Sequence, residues 1–226
     1  MQRIICKESV AKIALQCYLC NMPDTEPPSA HHGSIDLESL KALAHPLRVK
    51  IVDTLSTYGA HTASGLAEKL GESGGATSYH LRQLEKHNFV REVEGKGTAR
   101  ERWWERVPRA ISLENKDYRD SPAAKAASKI VLDEWTDTRE RRLREFIDQG
   151  EDVLSDEWME ASTISLANIW VTAPQLAEIT AAMQKVIDDS ALRYRGQRVV
   201  GARPALIQLA TFPVIDGVEI TSEDTP

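Results

Sequence analysis

Residues 73–107 read SGGATSYHLRQLEKHNFVREVEGKGTARERWWERV, and the period of their apolar positions changes once, near Asn88. Before that point Thr77, Leu81 and Leu84 recur at helical spacing. Ser73 offers a hydroxyl to the first turn, and Asn88 stands where a left-handed residue ends a helix. Beyond it, Phe89 to Glu94 alternates with period two, Gly95-Lys96-Gly97 supplies a turn, and Arg102 to Val107 returns as a second strand. A helix that runs directly into a basic-tipped hairpin is predicted.

Upstream, Thr62 caps a short helix, ASGLAEKL, with Leu66 and Leu70 on one face, and Gly71-Glu72-Ser73 turns into the helix above. His45-Pro46 interrupts the chain and starts another helix through LRVKIVDTLSTYG, with Leu47, Ile51, Val52 and Leu55 as its buried stripe and Gly59 as its end. His45 reads as part of that turn. Ile35, Leu37, Leu40 and Leu43 form an earlier helical stripe. Helix, turn, helix and hairpin over residues 35–107 make the outline of a winged helix-turn-helix.

A helix fits the major groove, with its N-terminal side chains reaching base edges. Leu81 and Leu84 face inward, which leaves Ser73, Ala76, Ser78, Tyr79, Arg82 and Gln83 as outward candidates. Arg82 suits phosphate or guanine, Gln83 suits adenine, and small Ala76 and Ser78 permit close approach. Tyr79 and His80 are both suited to donate to phosphate; His80 is equally suited to pack on a neighbouring helix. The hairpin adds Lys96, Arg100, Arg102 and Arg106 against Glu101 and Glu105. Such contacts position a reader and make its affinity salt-dependent. So modest a charge predicts weak binding by one copy and a homodimer as the working form.

LKALAHPLRVKIVDTL (40–55), LAEKLGESGGATSYHLRQLEKHNFV (66–90) and the hairpin after them resemble the arsenic-repressor (ArsR-like) winged-helix transcription regulators. Members commonly carry Ser-x-x-x-x-Ser-x-His-Leu-x-x-Leu along the reading helix, matched here by Ser73, Ser78, His80, Leu81 and Leu84. The resemblance covers about a third of the chain and implies a dimeric regulator that binds double-stranded operator DNA. Gly65 replaces the acid common after the cap, and Gly74-Gly75 replaces polar or proline residues. Metal sensing in such proteins uses Cys-x-Cys before the reader, or His and acid ligands on a C-terminal helix. HTASGLAEKL holds no cysteine, and His45, His61, His80 and His87, the histidines of residues 35–226, form no ligand pair. No metal site and no cofactor is therefore expected.

Ser121-Pro122 starts a long helix whose apolar pattern runs from Ala127 to Ile147 and stops at Gly150, about 40 Å in length. Its charged middle, TDTRERRLRE, reads as solvated. Residues 118–150 are expected to pack on a twin in a dimer, the alternative being a helix laid across its own domain. Residues 151–226 read as a small α+β unit with a disordered tail: a strand in SLANIWV, a Thr172–Gln175 capping box, a helix with Leu176, Ile179, Met183, Val186 and Ile187 on one face, a basic loop, and a strand in PALIQLATFPV. Trp158 and Trp170 are assigned to a packed core, the alternative being that they line an apolar pocket. The unit reads as a dimerisation or ligand-responsive module.

The 226 residues carry a net charge of −6, from 28 basic and 34 acidic side chains, which excludes a generally basic nucleic-acid coat protein but not a local reading surface. No apolar run approaches the ~18 uncharged residues of a membrane span. Cys6, Cys17 and Cys20 are the three cysteines, so a disulfide framework is excluded and a reducing compartment is expected. Residues 1–34 read as a disordered extension: Cys17-x-x-Cys20 with Cys6 and His31-His32 is a weak metal phrase, and Met22 is a candidate start of the native chain. The expected fold class is α+β, with an N-terminal winged helix-turn-helix, a long linking helix and a small C-terminal α+β unit. The expected function is a cytoplasmic, dimeric, sequence-specific DNA-binding regulator, without enzymatic activity and open to a small-molecule effector. The alternatives are a winged-helix protein-interaction module without DNA binding, and a methyltransferase, disfavoured because no glycine-rich nucleotide turn follows Val107.

Overall fold

The structure, a computed structural model, describes residues 35–98, 101–108, 111, 113, 121–194 and 196–220. The N-terminal extension with its cysteines and Met22, Arg100 in the hairpin, Arg195 and the extreme C-terminus lie outside the described residues. Helix α1 spans Leu37–Leu43, with Asp36 accepting from the Ser39 amide at 2.7 Å. Helix α2 (Pro46–Tyr58) begins at the proline, where His45 Nδ1 accepts from the Leu47 amide at 3.2 Å; Gly59 closes it in a left-handed conformation. Helix α3 (Ala63–Leu70) is capped by Thr62 and helix α4 (Gly74–Lys86) by Ser73. Asn88 follows α4 at φ 57°, as the sequence requires for the Phe89 amide to reach the Leu84 carbonyl at 2.9 Å.

Strands β2 (Val90–Thr98) and β3 (Glu101–Arg106) form the hairpin, and a two-residue strand β1 (His61–Thr62) adds to β3, giving an antiparallel sheet in the order β1-β3-β2. Two residues carry no readable alternation, so β1 was not predicted. The register of β2 against β3 shifts between Glu92 and Gly97. Gly97 sits at φ 99°, and a Cβ there would lie 2.1 Å from the Glu101 carbonyl oxygen, so only glycine closes this bulge.

Leu40, Leu43, Ile51, Leu66, Leu81, Leu84 and Phe89 are the fully buried centre of the core, with Trp104 sealing it from the sheet. Helix α4 is held on α2 by more than leucines. The His80 ring packs on His45, tilted by 40° with centroids 4.3 Å apart, and Arg48 of α2 lies beside the pair. Burial first, and the positive neighbours after it, hold both imidazoles below the ordinary 6.5. The buried Nδ1 of His80 and Nε of Arg48 have no hydrogen-bond partner, which fits a neutral, packed pair.

Helix α5 spans Pro122–Val153, about 48 Å at 1.5 Å per residue. Ala124, Ala127, Val131 and Trp135 bury against the core formed with α1 and α2, so its first half lies across its own winged helix. The charged middle is not simply solvated, because Arg142 bridges to Asp53 and donates to Thr57 Oγ1 at 3.0 Å, both on α2. Burial pushes the Asp53 carboxyl up from the ordinary 3.8 despite the pull of Arg142. The pair therefore fixes the angle of α5 more than it adds net stability. Gly150 does not stop the helix; a Cβ there would lie 3.3 Å from the Phe146 ring and 3.4 Å from Met159 Sδ, so the glycine admits helix α6 (Asp156–Glu160).

Helix α7 (Ala173–Arg193) opens with the expected capping box, Thr172 and Gln175 bonding reciprocally. Among the described residues beyond Gly150 none is buried. The two predicted strands of this unit join no ladder among the described residues, and Trp170, assigned to a core, is 80% exposed, while Trp158 is half-buried beneath Arg203. Leu176, Ile179 and Ile187 are half-covered, whereas Met183 and Val186 face solvent.

Arg142→Met is expected to strand the Asp53 charge and lower unfolding stability by roughly 2–3 kcal/mol in denaturant titration, with Asp53→Leu/Arg142→Met recovering most of the loss. Because the fold holds His45 and His80 neutral below 6.5, the unfolded chain takes up protons first as pH falls. Stability is thus full above about pH 6.5 and declines below it. Melting temperatures measured from pH 7.5 to 5 should fall in the wild type and fall less in His80→Phe, which keeps the ring but not its proton.

Candidate nucleic-acid interface

Helix α4 owes its outward face to its inward one. Thr77, Leu81 and Leu84 are fully buried, so the helix cannot rotate, and Ser73, Tyr79 and Arg82 emerge on the opposite side. Tyr79 is 58% exposed, a large aromatic in water at the centre of the face. Ala76, Ser78 and Gln83 flank it half-buried. Ser73 Oγ accepts from the Ala76 amide at 3.1 Å. A Cβ on Gly74 or Gly75 would meet nothing within 4 Å, so the first turn presents bare backbone to its surroundings. Helix N-termini attract anions through unpaired N–H groups, and no acidic side chain opposes that in the first turn.

Ser78 and Arg82 share one shallow groove with Arg102 of β3, bordered by Thr62 and Ser64 at the start of α3. The groove joins the helix to the hairpin as one continuous surface. Ser64, exposed at the first turn of α3, was not singled out from the sequence; its place beside Ser78 comes from the packing of α3 on α4, which no local pattern encodes. Glu101 also lines the groove and moderates its charge.

On the hairpin, the Lys96 ammonium lies 3.7 Å above the Trp103 ring, and Arg102 pairs with Glu92 at 3.4 Å, both side chains exposed. Arg91 pairs with Glu105 at 2.7 Å. Arg106, counted with the basic tip in the sequence reading, instead turns inward: it is buried and donates to Ser56 Oγ on α2. Its place in the β3 alternation, two residues beyond the buried Trp104, accounts for this. His80, poised in the sequence between phosphate donor and packing residue, is in the packing position beneath Tyr79, whose ring meets it edge-on at 5.1 Å. Ser73 at the cap of α4, Ala76, Ser78, Tyr79, Arg82 and Gln83 on it, and Lys96 and Arg102 on the hairpin thus lie on adjoining elements. Among the described residues no cluster of His, Cys, Asp or Glu could hold a metal ion, and no helix is long and apolar enough to cross a membrane.

No curated protein matches the chain significantly. Among solved structures, it is similar to NolR from Sinorhizobium fredii at 25% identity, covering 39% of this chain and 71% of that one, with a TM-score of 0.27. It is also similar, at 16% identity each, to YusO from Bacillus subtilis (66% and 82% covered, TM-score 0.28) and to an apo mutant of ZitR from Lactococcus lactis (67% and 83%, TM-score 0.26). Superpositions this loose carry no weight beside the local geometry. Residues 43–93 match a family model described as a helix-turn-helix domain. That span runs from the end of α1 through α4 into β2; with β3 completing the hairpin, the chain carries a winged helix-turn-helix domain.

Proposed function

We propose that the protein is a transcription regulator of ArsR-like type that reads operator DNA in the cytoplasm as a homodimer and senses no metal through the sites known for such proteins. The observation that carries this reading is the outward face of α4: Tyr79 and Arg82 stand clear of a buried leucine seam, next to a bare helix N-terminus and a groove shared with Arg102 of the hairpin. In this reading α4 enters the major groove with Arg82 and Gln83 toward base edges. Ser73, Ser78 and Tyr79 lie at phosphate distance, Ala76 allows the approach, and Lys96, Arg100 and Arg102 rest on the flanking backbone. His80 supports Tyr79 from below. The free hairpin is largely self-neutralised, so phosphates must displace Glu92 from Arg102, an exposed pair worth at most about 1 kcal/mol.

Selection of bound fragments from a genomic library, followed by anisotropy titration over a salt series, tests the reading. A preferred fragment with affinity falling steeply in salt is expected; equal, salt-insensitive binding to every duplex overturns it in favour of a protein-interaction module. Arg82→Ala should cost about 1–3 kcal/mol on the preferred site and relax discrimination, whereas Lys96→Ala should weaken all duplexes alike and lower the salt slope by about 1. Gly75→Ala should raise Tm by about 2–4 °C through helix propensity while weakening DNA binding, because the added methyl stands where a phosphate must approach.

A further inference from the structure

Eighteen of the twenty-three large hydrophobic side chains found exposed among the described residues lie between Ile164 and Ile220. They include Leu166 at 87%, Trp170 at 80% and Phe212 at 71% exposure. Their summed exposure is on the order of 1,000 Å² or more per copy, enough to supply the ~800 Å² per partner of a standard interface.

This surface offers backbone unpaired among the described residues as well as apolar side chains. Residues 163–171 (TISLANIWV) and 204–213 (PALIQLATFP) have the composition of strands. Yet among the described residues neither segment makes a backbone–backbone hydrogen bond. Helix α7 joins the two and shows no buried residue; the return segment touches it through a Thr180–Thr211 hydroxyl contact at 2.6 Å. Open ladder edges with apolar side chains are templates for strand addition.

We propose that these two segments pair with the same segments of a second copy of this chain, closing an exchanged sheet with α7 of each copy packed on it. The occupant follows from charge and symmetry. Neither segment contains an Asp, Glu, Lys, Arg or His, so neither a nucleic acid nor a charged peptide is complementary to it. A two-fold axis brings each uncharged edge onto an identical one, so both open edges close without any third chain. The inference supplies the contact surface of the dimer in the preceding reading, but it rests on the C-terminal unit alone and makes no use of DNA.

The test uses the full chain without DNA. Sedimentation equilibrium should give twice the 25.2-kDa chain mass. Hydrogen exchange should show the amides of 163–171 and 204–213 protected at least tenfold over their free-chain rates. Ile207→Glu, at the middle of one segment, should yield a monomer with both segments unprotected and the winged-helix amides still protected. A monomeric wild type overturns the inference, and so does a dimer whose two segments exchange freely, or one held together by a different co-purified protein. Should Ile207→Glu fail to fold, protection in the wild type still decides. A dimer of this kind that ignores DNA sequence removes the regulatory reading and leaves this one standing, and selective DNA binding by a chain with both segments unprotected does the reverse.

Discussion

The burial of one stripe of α4 is the constraint on which the rest depends. Leu81 and Leu84 are wholly enclosed with Ile51, Leu55 and Leu66, and truncating either would cost about 2–5 kcal/mol. Enclosure on that scale leaves the helix a single rotation about its axis. Tyr79 and Arg82 are therefore outward because their neighbours are inward, and the candidate interface follows from core packing. The His45–His80 pair adds a second, polar-edged contact at the same junction, neutral where a charged pair would repel.

Helix starts and stops were legible wherever a short polar side chain satisfies orphaned amides. Ser73, Thr62, Ser121 and the Thr172–Gln175 box all cap as read, and Asn88 takes the left-handed conformation its position demanded. These interactions span three or four residues, so the chain spells them out locally. Most of the candidate site was legible for the same reason, since helical phase alone separates Leu81 from Arg82.

What escaped the sequence depends on contacts between distant segments. Strand β1 exists because β3 passes beside His61 and Thr62. Arg106 looked like one more wing cation until the α2 face, fifty residues earlier, gave it Ser56. Gly150 resembled a helix stop, yet it is a seat for Met159. Trp170 errs in the other direction: its apolar ring points to a core, yet it stands 80% exposed, and no described residue beyond Gly150 is buried.

The anchoring of α5 has a mechanical consequence. From Ala124 to Arg142 the helix is clamped to α1 and α2, and it continues unbroken to Val153. A continuous helix transmits orientation by counting: each residue inserted or deleted past the clamp turns everything downstream by about 100° and displaces it 1.5 Å. The azimuth between helix α4 and the segments beyond Val153 is thus written as an integer number of residues, making this spacer a ruler whose length and phase cannot be varied separately.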